Sequence, residues 1–377
     1  MIKTIVHKFK QKLKSLFGKT FYILIHSWEF FLAMIQAPLG VMEVYDEHLR
    51  LESFDYQGYS FFFARIPNGA VYTNRKDNVS FLYKKMLLPH VSWQYINGRV
   101  VSDQENLLLS RAILLKKLPI YFDCTVISLL TGGGGNYNYY HWLFDCLPRL
   151  HLIELQTPLN ALSEDIKFFI PEDTLPFQRE TLDLMGIPAE SCISSKDITY
   201  LKAKELITVS HPNLAPVSDW IVTFLRNRLL PFSSQREFNP FVYISRNDSS
   251  NNRRLLNEND FFYSLSSLGF SFYELSKLKV VDQIALFAHA RIIISVHGAG
   301  LANLAFCSEG AIVYELFSEK YQPDMYQKIA CISNLTYYKV VCESIDRDGL
   351  PPNKANLFIS NARLEQIMDS IRKSMKA

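Results

Sequence analysis

Cysteine is scarce in this chain. Six residues (Cys124, Cys146, Cys192, Cys307, Cys331 and Cys342) are spread over 377 positions with no C-x-x-C pair. That spacing excludes the usual zinc sites and a dense disulfide framework, and it favours a reducing compartment. Charge of one sign is scarce too: 40 Lys and Arg against 37 Asp and Glu leave a net charge of +3, too little to argue for nucleic acid. No G-x-G-x-x-G follows an early strand with an acidic residue about 20 positions on, which counts against a dehydrogenase or epimerase. No internal repeat is visible, and the only low-complexity tract is the four glycines at 132–135. A clean apolar run of about 20 residues, as a membrane span requires, is also missing. The nearest is residues 21–41, interrupted by His26, Glu29 and Gln36. Lys3, Lys8, Lys10, Lys12, Lys14 and Lys19 precede it, and no small-residue cleavage site marks a secretory signal. Basic residues before aromatic-rich apolar sequence suit a helix lying on an anionic membrane surface. An amphipathic helix packed on the protein fits equally well, and a type II signal anchor is a third reading.

What is present describes a globular protein: 48% hydrophobic and 20% charged residues. Its length exceeds one ordinary core and predicts two domains. Residues 44–101 read as short strands, with Asn97-Gly98 as a hairpin turn. Strands and helices then alternate: strands near 122–130, 166–170 and 206–209, helices near 138–155, 175–185 and 219–230. A polar, proline-flanked stretch at 231–240 is the candidate linker. The expected segments are a basic and apolar N-terminal segment at 1–42, an N-terminal acceptor-side domain at 43–235 and a nucleotide-sugar domain at 236–340. Residues 341–377 form a tail whose last helix, from Asn361 onward, spaces Leu364, Ile367, Met368, Ile371 and Met375 as a core face.

The most informative stretch is residues 291–303. Ile292 to Val296 are apolar and largely β-branched, the pattern of a strand buried on both faces. His297, Gly298, Ala299 and Gly300 then allow a tight turn, and residues 301–307 a short helix. A strand, a glycine-rich turn and a helix offer free backbone N–H groups, a ready site for phosphate, although an unliganded turn has the same pattern. Around it, strands at 241–245, 270–275 and 311–316 and helices at 257–269 and 280–290 imply a parallel sheet. Ligands of such sheets bind beyond the carboxyl ends of the strands, so Arg246, His297 and Glu315 should line one crevice. Arg246, Arg253 and Arg254 can hold a diphosphate by charge-assisted bonds; three arginines on one loop can also be a solvated basic turn.

A second cluster follows the glycine tract: His141, Asp145 and Arg149. His141 and Asp145 stand four apart, so on a helix they share a face, and the carboxylate would fix the imidazole tautomer as a general base requires. Alternatively His141 is a core histidine and Asp145 pairs with Arg149, or Asp145 is itself the base.

These motifs together resemble glycosyltransferase family 61. The resemblance rests on Tyr243-Ile244-Ser245-Arg246, Arg253-Arg254, Asn257-Glu258, Gly269-Phe270, Gln283, Ala290, His297-Gly298-Ala299-Gly300-Leu301, Asn303, Gly310 and Glu315. Upstream it includes His141-Trp142, Asp145 and Leu147-Pro148-Arg149, and it spans roughly residues 120–340. It implies an α/β, GT-B-like fold of two Rossmann-like domains facing a cleft, here with a β-rich N-terminal part. It also implies an inverting transfer from a nucleotide-sugar donor, expected to be UDP-linked, to a glycan or lipid-linked glycan hydroxyl in surface or capsular polysaccharide synthesis. On that reading His141 and Asp145 are catalytic, with His141 reaching from the N-terminal domain. Arg246, Arg253, Arg254, His297, Gly298, Ala299, Gly300, Leu301, Asn303 and Glu315 bind the donor, Glu315 through the ribose hydroxyls. No metal and no cofactor are expected, because Asp346-Arg347-Asp348 falls in a late loop. The expected location is cytoplasmic, at the inner face of the membrane, with no nucleic-acid partner. The competing reading is a catalytically inactive nucleotide-binding subunit of a polysaccharide assembly complex.

Overall fold

The computed structural model of the chain describes residues 39–42, 47–96, 99–114, 117–131, 135, 137–162, 165–172, 174–211, 217–249, 253–345 and 351–376. The expected N-terminal amphipathic segment up to residue 38, the Asn97-Gly98 turn, three of the four tract glycines (132–134) and the 346–348 acidic pair lie outside the described residues. The fold is mixed α/β and contains two sheets. Contacts divide it into two compact units. The first takes the described residues of Met1–Gly134, Leu152–Pro171 and Ser191–His211, the second those of Gly135–His151, Glu172–Glu190 and Pro212–Ala377.

The first unit is built on one mixed sheet of 12 strands. Tyr200–Val209, Ile120–Ser128, Ile166–Ile170 and Cys192–Ser194 run parallel as neighbours. Tyr59–Pro67 and Ala70–Thr73 then join Tyr200–Val209 antiparallel, and hairpins extend the sheet through Arg50–Tyr56 and Asn78–Tyr83. Apolar spacing explains the pairing. Phe61 and Ile66 are buried between intermediate or exposed neighbours, Phe63 and Ala64 are buried together, and all six residues of Asn78–Tyr83 are buried.

The second unit carries a six-stranded sheet in the order Ser271–Tyr273, Phe241–Ile244, Ile292–Val296, Ile312–Ser318, Thr336–Ile345, Asn356–Phe358. The first five strands are parallel and the last is antiparallel. All five residues of Ile292–Val296 are buried, as a central strand covered on both faces requires. The four strands expected here are present, and two more follow them, because Thr336–Ile345 and Asn356–Phe358 extend the edge. The C-terminal helix Asn361–Lys376 buries Ile367, Met368 and Ile371 in the same core as Tyr243, Ile294 and Leu316. Among the described residues no helix is long and apolar enough to cross a membrane.

In sequence, Gly135–His151 lies inside the stretch 43–235; in space it clusters with the second unit. Packing explains this. Tyr140 meets Tyr326 edge-on at 5.8 Å, the Tyr139 hydroxyl donates to Asn303 at 2.9 Å, and the Trp142 indole donates to Thr181 at 2.8 Å. His141 and Asp145 therefore belong to the same compact unit as Arg246, His297 and Glu315.

Candidate active site

The histidine is positioned by a short turn of unusual pitch. Asn138 accepts from the backbone N–H groups of Tyr140 and His141 and so starts the turn Tyr139–His141. The next five residues, Trp142–Cys146, form a π-helical turn, closed by the Leu147 N–H on the Trp142 carbonyl at 3.1 Å. In a regular α-helix the ring of Pro148 would press on the carbonyl of Phe144. The wider turn relieves that clash, and such turns recur at functional sites. His141 Nδ1 lies 2.6 Å from Asp145 Oδ2, with the imidazole 43% exposed and the carboxylate 9%. With the proton on Nδ1 and donated to Asp145, the free lone pair would be on Nε2. Burial pulls the His141 pKa down, but the hydrogen bond and charge of Asp145 outweigh it, and the net shift is upward. Arg149 is buried, its pKa lowered to about 10 by burial, and its charge favours the ionised Asp145. The neighbours Trp142, Leu143 and Phe144 are core residues, as their type predicts.

At the carboxyl end of the sheet, Tyr243-Ile244-Ser245-Arg246 acts as a unit. The Tyr243 and Ser245 hydroxyls donate to the two oxygens of Glu258 at 2.8 and 3.0 Å, and the Asn247 amide donates to the same carboxylate. This brace orients Arg246 over the glycine-rich turn. A Cβ on Gly298 would stand 1.4 Å from Arg246 Nη1, so glycine is required there for space. Backbone conformation is not the reason, since φ at Gly298 is 177°. Arg246 Nε and Arg253 Nε are both buried and without a hydrogen-bond partner among the described residues. Neither guanidinium has a carboxylate within ion-pair distance there, apart from longer-range attraction. Burial, and after it the neighbouring charge of Arg253, lower the Arg246 pKa to about 10. Arg253 takes a left-handed backbone (φ 74°) and sets its guanidinium 5.4 Å over the Tyr321 ring. Arg254 is exposed, and its guanidinium reaches the Ser249 carbonyl at 3.5 Å.

The helix after the turn, Ala299–Phe306, is 3-10 throughout, and Arg226 closes its far end by donating to the carbonyls of Ala305 and Cys307. The Leu301 N–H is already bonded to the Gly298 carbonyl at 2.9 Å, so Leu301 offers no free donor. The N–H groups of Gly298, Ala299 and Gly300 have no partner among the described residues. A cavity of about 180 Å³ opens onto these amides and onto Arg246, Asp248, Ser249 and Phe177.

Three further residues sit behind this surface. Asn303 is fully buried: it accepts from Tyr139 and donates to Gln283 and to the Gly300 carbonyl. It ties the His141 turn to the glycine-rich turn and has no atom left for a ligand. Glu315 is also fully buried, bonded to His297 Nδ1 at 2.5 Å and to the Tyr337 hydroxyl at 2.5 Å. The ribose role expected of Glu315 therefore has no free carboxylate oxygen to perform it; Glu315 positions His297. Burial lowers the His297 pKa to about 3 and raises that of Glu315 to about 8, so the pair carries no net charge near neutrality. Asp248 was not singled out in the sequence, although it stands two residues after Arg246. Its Oδ2 accepts from the Ser276 N–H at 3.0 Å, and it lines the cavity. Among the described residues no group of three His, Cys, Asp or Glu could hold a metal ion.

No curated protein matches the chain. The family model described as Glycosyltransferase 61 matches residues 139–314, which run from the His141 turn through the arginine pair and the glycine-rich turn to the strand of Glu315. All the motifs that resembled this family in the sequence, except Glu315 one residue beyond its end, fall within the segment at residues 139–314 that this glycosyltransferase model matches.

Proposed function

We propose that the chain is an inverting glycosyltransferase that moves a sugar from a nucleotide-sugar donor, with a uridine diphosphate leaving group, to a hydroxyl of a glycan acceptor. The observation that carries this reading is the pair of part-buried guanidinium groups, Arg246 and Arg253, whose buried Nε donors lack a partner among the described residues, with Arg246 packed on Gly298 of the glycine-rich turn. Two part-buried cations that repel each other lower the stability of the fold unless an anion joins them, and a diphosphate supplies that charge. Asp248, in the same cavity, is placed to accept from ribose hydroxyls. His141 Nε2 takes the acceptor proton as the acceptor oxygen bonds to the anomeric carbon. The bond from that carbon to the diphosphate breaks from the opposite face, which inverts the configuration. Asp145 stabilises the imidazolium, and the arginines and turn dipoles stabilise the departing diphosphate, so the reading assigns no step to a metal. We also read the two α/β units as GT-B-like, the process as surface polysaccharide synthesis, and the Lys-rich beginning as a contact for the inner membrane surface. The half-exposed His141 favours an active enzyme over an inactive nucleotide-binding subunit.

Calorimetric titration with uridine diphosphate tests the donor site. Arg246→Ala should weaken binding by about 2–5 kcal/mol, as loss of one partner of a desolvated charge pair does. Unchanged affinity would remove Arg246 from the site.

A further inference from the structure

Beyond the matched segment, the helix Met325–Ile332 of the second unit turns Tyr326, Ile329 and Ala330 inward, a stripe at helical spacing. Tyr326 is 2% exposed. Its ring meets His297 at 5.1 Å and Tyr140 edge-on at 5.8 Å. Those contacts ask only for an aromatic ring, and phenylalanine would make them as well. The hydroxyl is what packing leaves unexplained. It has no hydrogen-bond partner among the described residues. Other tyrosines of this unit use theirs: Tyr139 donates to Asn303, Tyr243 to Glu258 and Tyr337 to Glu315. A buried phenol ordinarily finds such a partner, because an idle oxygen costs stability.

The surroundings of Tyr326 are rich in donors and lack an acceptor. His297 is their hub. Its ring also meets Tyr321 at 5.6 Å, and the Arg253 guanidinium stands 5.4 Å over that second ring. The residue after His297 is Gly298, which leaves the space that Arg246 Nη1 fills. Neither cation forms an ion pair among the described residues, and the Nε of each lacks a partner there. Burial, above all, raises the Tyr326 pKa well above its ordinary value, while the charges of Arg246 and Arg253 pull the other way. The phenol therefore keeps its proton and enters as a donor. Two cations and a hydroxyl gathered round one histidine describe a site for an anion.

We propose that Tyr326 is a further ligand of the leaving group, its hydroxyl donating a hydrogen bond to an oxygen of the diphosphate that Arg246 and Arg253 hold. As the bond from the anomeric carbon breaks, its electron pair passes to that diphosphate, and the hydrogen bond strengthens as the charge grows. Tyr326 keeps its proton throughout. A sugar hydroxyl in the same place would satisfy Tyr326 but leave both cations unpaired. The identity of the anion as a diphosphate rests on the transferase reading; the donors round His297 call only for an anion.

The test is calorimetric titration of the full chain and of its Tyr326→Phe variant with uridine diphosphate, inorganic pyrophosphate and uridine, with the melting temperature of each protein. Phenylalanine keeps the ring and removes only the idle oxygen, so the variant should melt at the wild-type temperature or above it. Its affinity for uridine diphosphate and for pyrophosphate should fall by about tenfold or more, as loss of a hydrogen bond to a charged group predicts. Uridine, which carries no phosphate, should bind both proteins alike. Undiminished diphosphate affinity in Tyr326→Phe, an equal loss for uridine, or a lower melting temperature would each overturn the proposal. Arg246→Ala separates it from the donor reading: diphosphate binding lost there but intact in Tyr326→Phe would sink the tyrosine and leave the donor site standing. Pyrophosphate binding that needs both residues, with no preference for uridine diphosphate, would keep Tyr326 as an anion ligand and sink the uridine nucleotide.

Discussion

Single atoms decide most of the chemistry at the candidate site. Gly298 is the clearest case, because its missing Cβ is the space that Arg246 Nη1 fills. The contact is with the end of a flexible side chain, so Gly298→Ala should fold with nearly the wild-type melting temperature while displacing the guanidinium. Its affinity for uridine diphosphate should fall toward that of Arg246→Ala; retained affinity would show that Arg246 does not act from this position. At the other pole of the site, His141→Ala should lower turnover by about 10²–10⁴-fold with donor affinity nearly unchanged. The pH profile gives a finer readout. A base must be deprotonated, so kcat/KM should rise with pH through the His141 pKa, which Asp145 holds above the ordinary 6.5. Asp145→Asn should move that limb to lower pH and lower the plateau. An Asp145→Asn variant much slower than His141→Ala would instead make Asp145 the base.

Elements account for how these atoms meet. The π-helical turn Trp142–Cys146 lets Asp145 sit under His141 while the chain continues into Pro148–Gln156. Asn303 joins that turn to the helix after Gly298, and Glu258 braces the strand end at Arg246. Glu315 and His297 link two neighbouring strands, and their shifted ionisation makes a stability prediction. The folded Glu315 pKa of about 8 exceeds its 4.5 reference, so it favours the folded state at low pH and that contribution is lost as pH rises from 4.5 to 8. The folded His297 pKa of about 3 lies below 6.5, so its contribution grows as pH rises from 3 to 6.5. The two slopes oppose each other between 4.5 and 6.5 and leave a net fall from 6.5 to 8. Glu315→Gln, which keeps both hydrogen bonds possible, should remove that fall in urea titrations run across this range. A fall of the same size in the variant would assign it to other groups.

At the scale of the whole molecule, every residue assigned to the donor lies in the second unit. Saturating uridine diphosphate should therefore slow amide hydrogen exchange in the second unit, above all at residues 241–249 and 292–318, with little change in the first. Protection spread equally over both units would place the nucleotide elsewhere. The parallel strands of the second unit were legible in the sequence because a doubly covered strand must be continuously apolar, as residues 292–296 are. The family-model match was legible for a related reason: the glycines and charged residues quoted between 139 and 314 keep recognisable spacings. The sequence by itself thus determined the α/β class, the strands of the second unit and the pairing of His141 with Asp145. Only the tertiary structure decided which residues spend their polar atoms inside the protein. Asn303 and Glu315 have the side chains of ligand binders, yet their partners Tyr139, Gln283, His297 and Tyr337 come from distant stretches of chain. The same holds for a cavity of the first unit that Lys85 and Lys202 both line although they are 117 positions apart in the sequence. Local spacing records what a strand or turn must be; long-range pairing alone records what it faces.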